Sequence, residues 1–240
     1  SKKHEGLVWI GLEYRFMSPI QSLINHIEKI GDIRMLSIRE HRFPFLKKVG
    51  NWNRFNENTG GTLVEKCCHF FDLMNLIVPS KPIKIYASGG QDVNHLDEKY
   101  DGKTPDIIDN SFVIIDYQDG QRAMLDLCMF AEAGKYEQEI VLTGDQGKLE
   151  TYIPGNELIL TNRKNYSLKT IVVKDDPRVK EVGFHHGASY IEHLELIDCI
   201  KNKKKPLVDC QKGLDSIILG LAAQESIQTG SPVFLEDFLN

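Results

Sequence analysis

Apolar residues along the chain change their spacing twice. Near the start, Ile20, Leu23, Ile24 and Ile27 form one helical stripe; Ser18 and Pro19 suit its first turn and Gly31 stops it. Ile33–Glu40 then alternates with the period of a strand, and residues 41–55 form a loop rich in basic and aromatic side chains. Gly60-Gly61-Thr62 leads into a second helix that Pro79 closes. From Ile83 to Val173 the period is again two. Asn110–Tyr117 and Gln121–Phe130 flank Gln118-Asp119-Gly120, and Gln138–Thr143 and Lys148–Ile153 flank Gly144-Asp145-Gln146-Gly147, both of them hairpin signals. Glu157–Thr161 and Leu168–Val173 add two strands. Two helices finish the chain, one over Ala188–Lys201 with Ile191, Leu194, Ile197 and Ile200 on one face, the other from an Asp209 cap to about Gly230.

Consecutive hairpins need no helical crossovers, so this order predicts an α+β fold: a large open, mainly antiparallel β-sheet with helices on one face. Leu7–Gly11 reads as a buried strand at the edge of the sequence, with no neighbour before it, which suggests a missing preceding region. Strands such as Phe112-Val113-Ile114-Ile115 and Met124-Leu125-Asp126-Leu127 carry apolar residues on both sides. A sheet face of that kind is expected to pack against a partner, giving a homodimer or tetramer.

Composition narrows the function classes. The 240 residues are 41% hydrophobic and 26% charged with a net charge of −5, a balance that argues against a broad nucleic-acid footprint. No apolar run reaches the ~18–20 residues that span a bilayer, so no membrane partner is expected. Five cysteines (Cys67, Cys68, Cys128, Cys199 and Cys210) are odd in number and two are adjacent, which suits reduced thiols in a cytoplasmic protein.

Candidate chemistry concentrates in Gly60–Asp72. On one continuous helix Glu65, His69 and Asp72 fall at i, i+4 and i+7 and face the same way. Two acids and an imidazole there fit general acid–base chemistry, because a carboxylate fixes the tautomer of a histidine and raises its basicity. They fit a metal site poorly, since no further spaced His or Cys joins them. They also fit a polar stripe with a purely structural role. Cys67 and Cys68 read as small core residues, because nothing nearby signals a depressed thiol pKa. His185-His186-Gly187 stands at a helix entry, where it suits either an anion or substrate oxygen, or plain loop surface. The loop with Lys48, Trp52 and Arg54 suits either a hydroxyl-rich or anionic ligand, or a flap folded on the core. No G-x-G-x-x-G or P-loop pattern occurs, so the residues themselves define no cofactor cradle.

Gly60–Asp72 resembles the Gly-Gly-x-x-x-Asp-x-x-x-His-x-x-Asp signature of the glucose–fructose oxidoreductase / inositol dehydrogenase / rhizopine catabolism (Gfo/Idh/MocA) family. Other segments are similar in the same order: Val8–Gly11 with Tyr14-Arg15-Phe16 and Pro19, Ile30–Ile33, Asp109–Phe130, Thr143–Gly147, Pro206–Asp209 and Ser226–Val233. The resemblance implies the C-terminal domain of an NAD(P)-dependent oxidoreductase acting on a sugar, polyol or related hydroxyl compound. Residues 1–16 would be the exit from a missing dinucleotide-binding domain, and residues 17–240 the substrate-binding and oligomerisation domain. NAD or NADP would be bound mainly by the missing domain, with Arg15 at its edge, and the isolated fragment would be inactive. By the same resemblance His69 is the catalytic base and Glu65 orients it. Arg54, Lys48, Asp72 and His186 are expected to contact substrate. The family's common Asp is here Glu65 and its small residue two positions on is Cys67. The competing expectation is a non-enzymatic dimerisation or sugar-sensing module of the same fold.

Overall fold

The computed structural model describes residues 5–238; the first four residues of the expected exit segment lie outside the described residues. Leu7–Gly11 is not a strand. It joins no ladder of the sheet and is tied by the backbone bond from Ile10 N–H to the carbonyl of Val208. A single 3₁₀ turn, Glu13–Phe16, follows and leads through Met17 into α1, Ser18–Ile24. Ser18 is the first residue of this helix and not its cap, and a second 3₁₀ turn, Ile27–Ile30, carries the stripe on to Gly31.

Strand β1, Ile33–His41, enters the sheet next. After a 3₁₀ turn at Val49–Arg54 come three helices: α2 (Asn56–Thr59), α3 (Thr62–Glu65) and α4 (Cys68–Ile77). Then follow β2 (Pro82–Gly90), β3 (Asn110–Tyr117), β4 (Arg122–Cys128), β5 (Gln138–Gly144), β6 (Gly147–Ile153), β7 (Glu157–Asn162) and β8 (Ser167–Val172). The chain ends with α5 (Ala188–Lys201), α6 (Cys210–Thr229), β9 (Val233–Phe234) and α7 (Leu235–Phe238). The expected cap of α6 is present: the Asp209 carboxylate accepts from the backbone N–H of Lys212 at 3.0 Å, and Gly230 in the left-handed region ends the helix.

The described strands form one nine-stranded sheet in the order β8-β7-β6-β5-β1-β4-β3-β2-β9. Every pair is antiparallel except β1 with β4, so the fold is the α+β, mainly antiparallel open sheet expected. Alternation decides the two faces. Val113, Ile115, Tyr117, Ala123, Leu125 and Leu127 point inward and are buried; α6 packs against β2 on this side and α1 against β6. Phe112, Ile114, Met124, Met35 and Tyr86 point outward and stay exposed. Of the apolar face expected on α5, Ile191 is buried, together with Ala188 and Cys199, while Ile197 and Ile200 are exposed as well.

The helix expected from Gly60 to Pro79 is two helices. Gly61, at φ +85°, sets the entry to α3, and the Thr62 hydroxyl donates to the carbonyl of Ile108. The backbone of Leu63 lies so close to α6 that a Cβ on Gly220 would stand 2.5 Å from the Leu63 carbonyl oxygen. With α3 fixed by these contacts, the chain breaks at Lys66-Cys67 before α4 starts. Glu65, His69 and Asp72 therefore do not share one helical face.

Candidate active site

His69 stands in the first turn of α4, its side chain 17% exposed. Its ring stacks on Tyr14 with centroids 4.6 Å apart and planes 20° from parallel. Nδ1 is buried, lacks a hydrogen-bond partner, and lies 3.5 Å from a carboxylate oxygen of Glu13. No hydrogen bond among the described residues engages Nε2. The other oxygen of Glu13 lies 3.3 Å from Nδ1 of His185, which also meets the Ser189 hydroxyl at 3.0 Å. The turn Glu13–Phe16 supplies Glu13 and Tyr14, and α5 packs against that turn with His185 just ahead of its first residue.

Beneath Tyr14 lies a buried charge network. The inward register of β1 runs through Leu36 and Ile38 to Glu40, which is fully buried. One oxygen of Glu40 lies 3.0 Å from the Lys66 ammonium and 3.5 Å from the Arg42 guanidinium. Lys66 also donates to the Tyr14 hydroxyl. The helix break at Lys66-Cys67 lets this ammonium reach inward. Burial pulls the Lys66 pKa down, but Glu40 and Tyr14 outweigh it and keep the ammonium charged; burial pushes the Tyr14 phenol up, so it stays neutral. Burial, then Lys66 and His185, push the His69 imidazole down to about 3, so it is neutral at ordinary pH. Burial also raises both thiols beside it, Cys68 to about 12 and Cys67 far above its usual range, which makes them poor nucleophiles.

The residues singled out from sequence divide between this centre and other places. Glu65 does not meet His69. It pairs at 2.5 Å with the Lys48 ammonium, which also sits 4.8 Å over the ring of the partly exposed Trp52. This corrects Glu65 as the group that orients the imidazole: with the helix broken, the carboxylate beside the ring belongs to Glu13. Asp72 and Arg15 form an internal, bidentate ion pair, both side chains almost fully buried, which corrects Asp72 as a substrate ligand and Arg15 as a cofactor ligand. Arg54 is likewise committed inside the protein, to Glu98 at 2.8 Å and the Phe45 carbonyl at 3.2 Å, and anchors the basic-aromatic loop instead of meeting substrate. His186, at φ +51°, lines a separate cavity of 240 Å³ with Phe16, Met17 and Val179; its neighbour His185 is the one that reaches the His69 centre. Glu13, Lys66 and Glu40 were missed because their chemistry arises only when distant segments meet; His185 stood out in His185-His186-Gly187, but its contact with Glu13 did not. The sequence signal for Glu13 was Glu13-Tyr14-Arg15, a polar cluster directly after an apolar run. No group of three or more His, Cys, Asp or Glu among the described residues could hold a metal ion.

Residues 24–235 match the family model GFO_IDH_MocA_C, described as the oxidoreductase family, C-terminal alpha/beta domain. The chain belongs to this family. Among similar proteins, the myo-inositol 2-dehydrogenase of Thermotoga maritima is 24% identical over 250 residues, covering 100% of the chain and 67% of the relative. The chain thus spans about two thirds of that relative's length. Levoglucosan dehydrogenase, solved in complex with NADH and L-sorbose, superposes with a TM-score of 0.80 at 15% identity over 98% of the chain and 67% of its own. The aldose-aldose oxidoreductase of Caulobacter crescentus, solved with glycerol, gives a TM-score of 0.76 at 15% identity over 97% of the chain and 65% of its own. Identities this low establish a shared fold. His69, within the matched residues, meets Glu13 and the Tyr14 ring, and Glu13 in turn meets His185.

Proposed function

We propose that this chain is the substrate-binding and catalytic half of an NAD(P)-dependent oxidoreductase acting on a sugar, polyol or related hydroxyl compound. Residues 17–240 are its substrate and oligomerisation domain, and residues 1–16 lead out of a dinucleotide-binding domain. The observation that carries this reading is His69: a neutral imidazole with a carboxylate at Nδ1 and a free Nε2. Such a ring accepts a proton from a hydroxyl. The family is one of oxidoreductases, and the named relatives act on or were solved with hydroxyl compounds, which supports this substrate class.

The described residues do not fit a dinucleotide: among them no strand runs through a Gly-rich fingerprint into a helix, and Arg15 is spent on Asp72. NAD or NADP is therefore assigned to a site mainly outside this chain, where the nicotinamide would exchange the hydride. Residues here would supply the proton's path. His69 would take the hydroxyl proton at Nε2, and Lys48, aligned by Glu65 and the face of Trp52, would contact the substrate at the site's edge. The outward sheet face, with Phe112, Ile114 and Met124, would bury itself in a homodimer or tetramer. That face also suits a second reading, a dimerisation or sugar-sensing module without turnover. The test joins the chain to a nicotinamide-binding domain of its family and follows reduction of NAD⁺ and NADP⁺ with myo-inositol and a panel of sugars. Turnover supports the enzyme; saturable sugar binding with no reduction of either nucleotide supports the module.

A further inference from the structure

We infer that Glu13 is the positioning residue of this site, holding His69 and His185 on its two carboxylate oxygens and fixing the His69 tautomer that leaves Nε2 unprotonated. This rests on the reading of His69 as the proton acceptor and says which group makes it one. A buried ring nitrogen needs a partner, and Nδ1 of His69 has no other among the described residues. At 3.5 Å the contact with Glu13 is longer than a formed hydrogen bond, and such contacts commonly tighten when substrate arrives. With the Nδ1 proton directed at Glu13, the lone pair of the ring lies on Nε2. When Nε2 takes a proton the ring becomes a cation, and Glu13 is the adjacent carboxylate that can stabilise it.

Other charges set the scale of that need. Lys66, at the break between α3 and α4, opposes protonation of His69, and so does His185 ahead of α5. Glu192 of α5 faces the same pocket and is held by the Trp9 indole N–H at 3.0 Å, so it is not placed to serve His69. Glu40 of β1 and Arg42, just past its end, are engaged with each other and, through Glu40, with Lys66. Glu65 is engaged with Lys48. Glu13 alone among these carboxylates touches an imidazole of the centre, and it touches two.

The experiment is nitrogen NMR of the histidine rings in the ¹⁵N-labelled chain at neutral pH, without substrate, for the parent and for Glu13→Ala, Glu13→Asp and Glu65→Ala. The parent is expected to show His69 as the Nδ1–H tautomer. Glu13→Ala should move it toward the Nε2–H tautomer and shift His185 as well, while Glu65→Ala leaves both as in the parent. Glu13→Asp keeps the charge on a shorter arm and should give an intermediate shift, so it serves if the alanine variant does not fold. His69 unchanged in both Glu13 variants, or moved as far by Glu65→Ala, overturns the assignment. The readout needs no turnover, so it is separate from the dehydrogenase reading. A tautomer shift in an inactive enzyme would leave the role of Glu13 standing and remove the proton-acceptor reading.

Discussion

At the scale of single residues, the site depends on an imidazole kept uncharged in a crowded, partly charged interior. That has a thermodynamic cost which can be read without any substrate. The folded chain holds His69 at about 3, below its ordinary 6.5, first by burial and then by Lys66 and His185. Between those two values the unfolded chain binds a proton that the folded chain refuses, so stability is complete above pH 6.5 and falls as the pH drops toward 3. Thermal melts of the parent from pH 7 to pH 4 should show this loss, and His69→Leu should flatten it. An equal slope in parent and variant would mean that His69 is not held neutral by its surroundings. The Gly60–Asp72 pattern marks His69 in the sequence. The carboxylate that lies 3.5 Å from its ring is not marked there: Glu13 lies in a 3₁₀ turn before α1, and only the packing of α5 and α4 on that turn brings it to the ring.

Individual elements explain why the i, i+4, i+7 argument failed while most strand assignments succeeded. Strands β3 to β6 announce themselves by alternation and by the turns between them, which are local signals. The parallel pairing of β1 with β4 is not local, since two strands and three helices intervene, and no spacing rule reports it. The break between α3 and α4 is a tertiary effect: α3 is fixed on α6 at Gly220, and Lys66 is drawn to Glu40. Beyond the break, α4 is fastened to the turn Glu13–Phe16 by the buried pair of Asp72 with Arg15, the same turn that carries Glu13 and Tyr14. Removing one partner of such a pair leaves an uncompensated buried charge, which costs about 3–5 kcal/mol. Asp72→Asn should therefore lower stability by about that amount in urea unfolding, while Arg15→Met with Asp72→Leu should cost less than Asp72→Asn alone. A loss below ~1 kcal/mol for Asp72→Asn would show that the pair does not bind the turn to α4, given the usual weight of an exposed pair.

At the scale of the whole molecule, the alternation of β3 and β4 foretold an apolar outer face, and the sheet bears it out with Phe112 60% and Ile114 45% exposed. Polar pairs border it, Arg39 with Glu139 at 3.1 Å and His41 with Asp126 at 3.0 Å. An apolar centre inside a polar rim is the anatomy of an interface between proteins. We expect the chain to sediment as a dimer or tetramer at micromolar concentration, and Phe112→Glu with Ile114→Lys to shift it to monomer while the far-UV circular dichroism is retained. A parent that stays monomeric at tens of micromolar would contradict self-association through this face.

The central claim, that His69 moves the substrate's proton, is tested most directly by kcat of His69→Ala in the chain joined to a nicotinamide-binding domain. A general base contributes typically ~10²–10⁴-fold, so kcat should fall by that factor while nucleotide affinity stays near the parental value. Folded His69→Ala protein that turns over at the parental rate would contradict it and return His69 to a structural role.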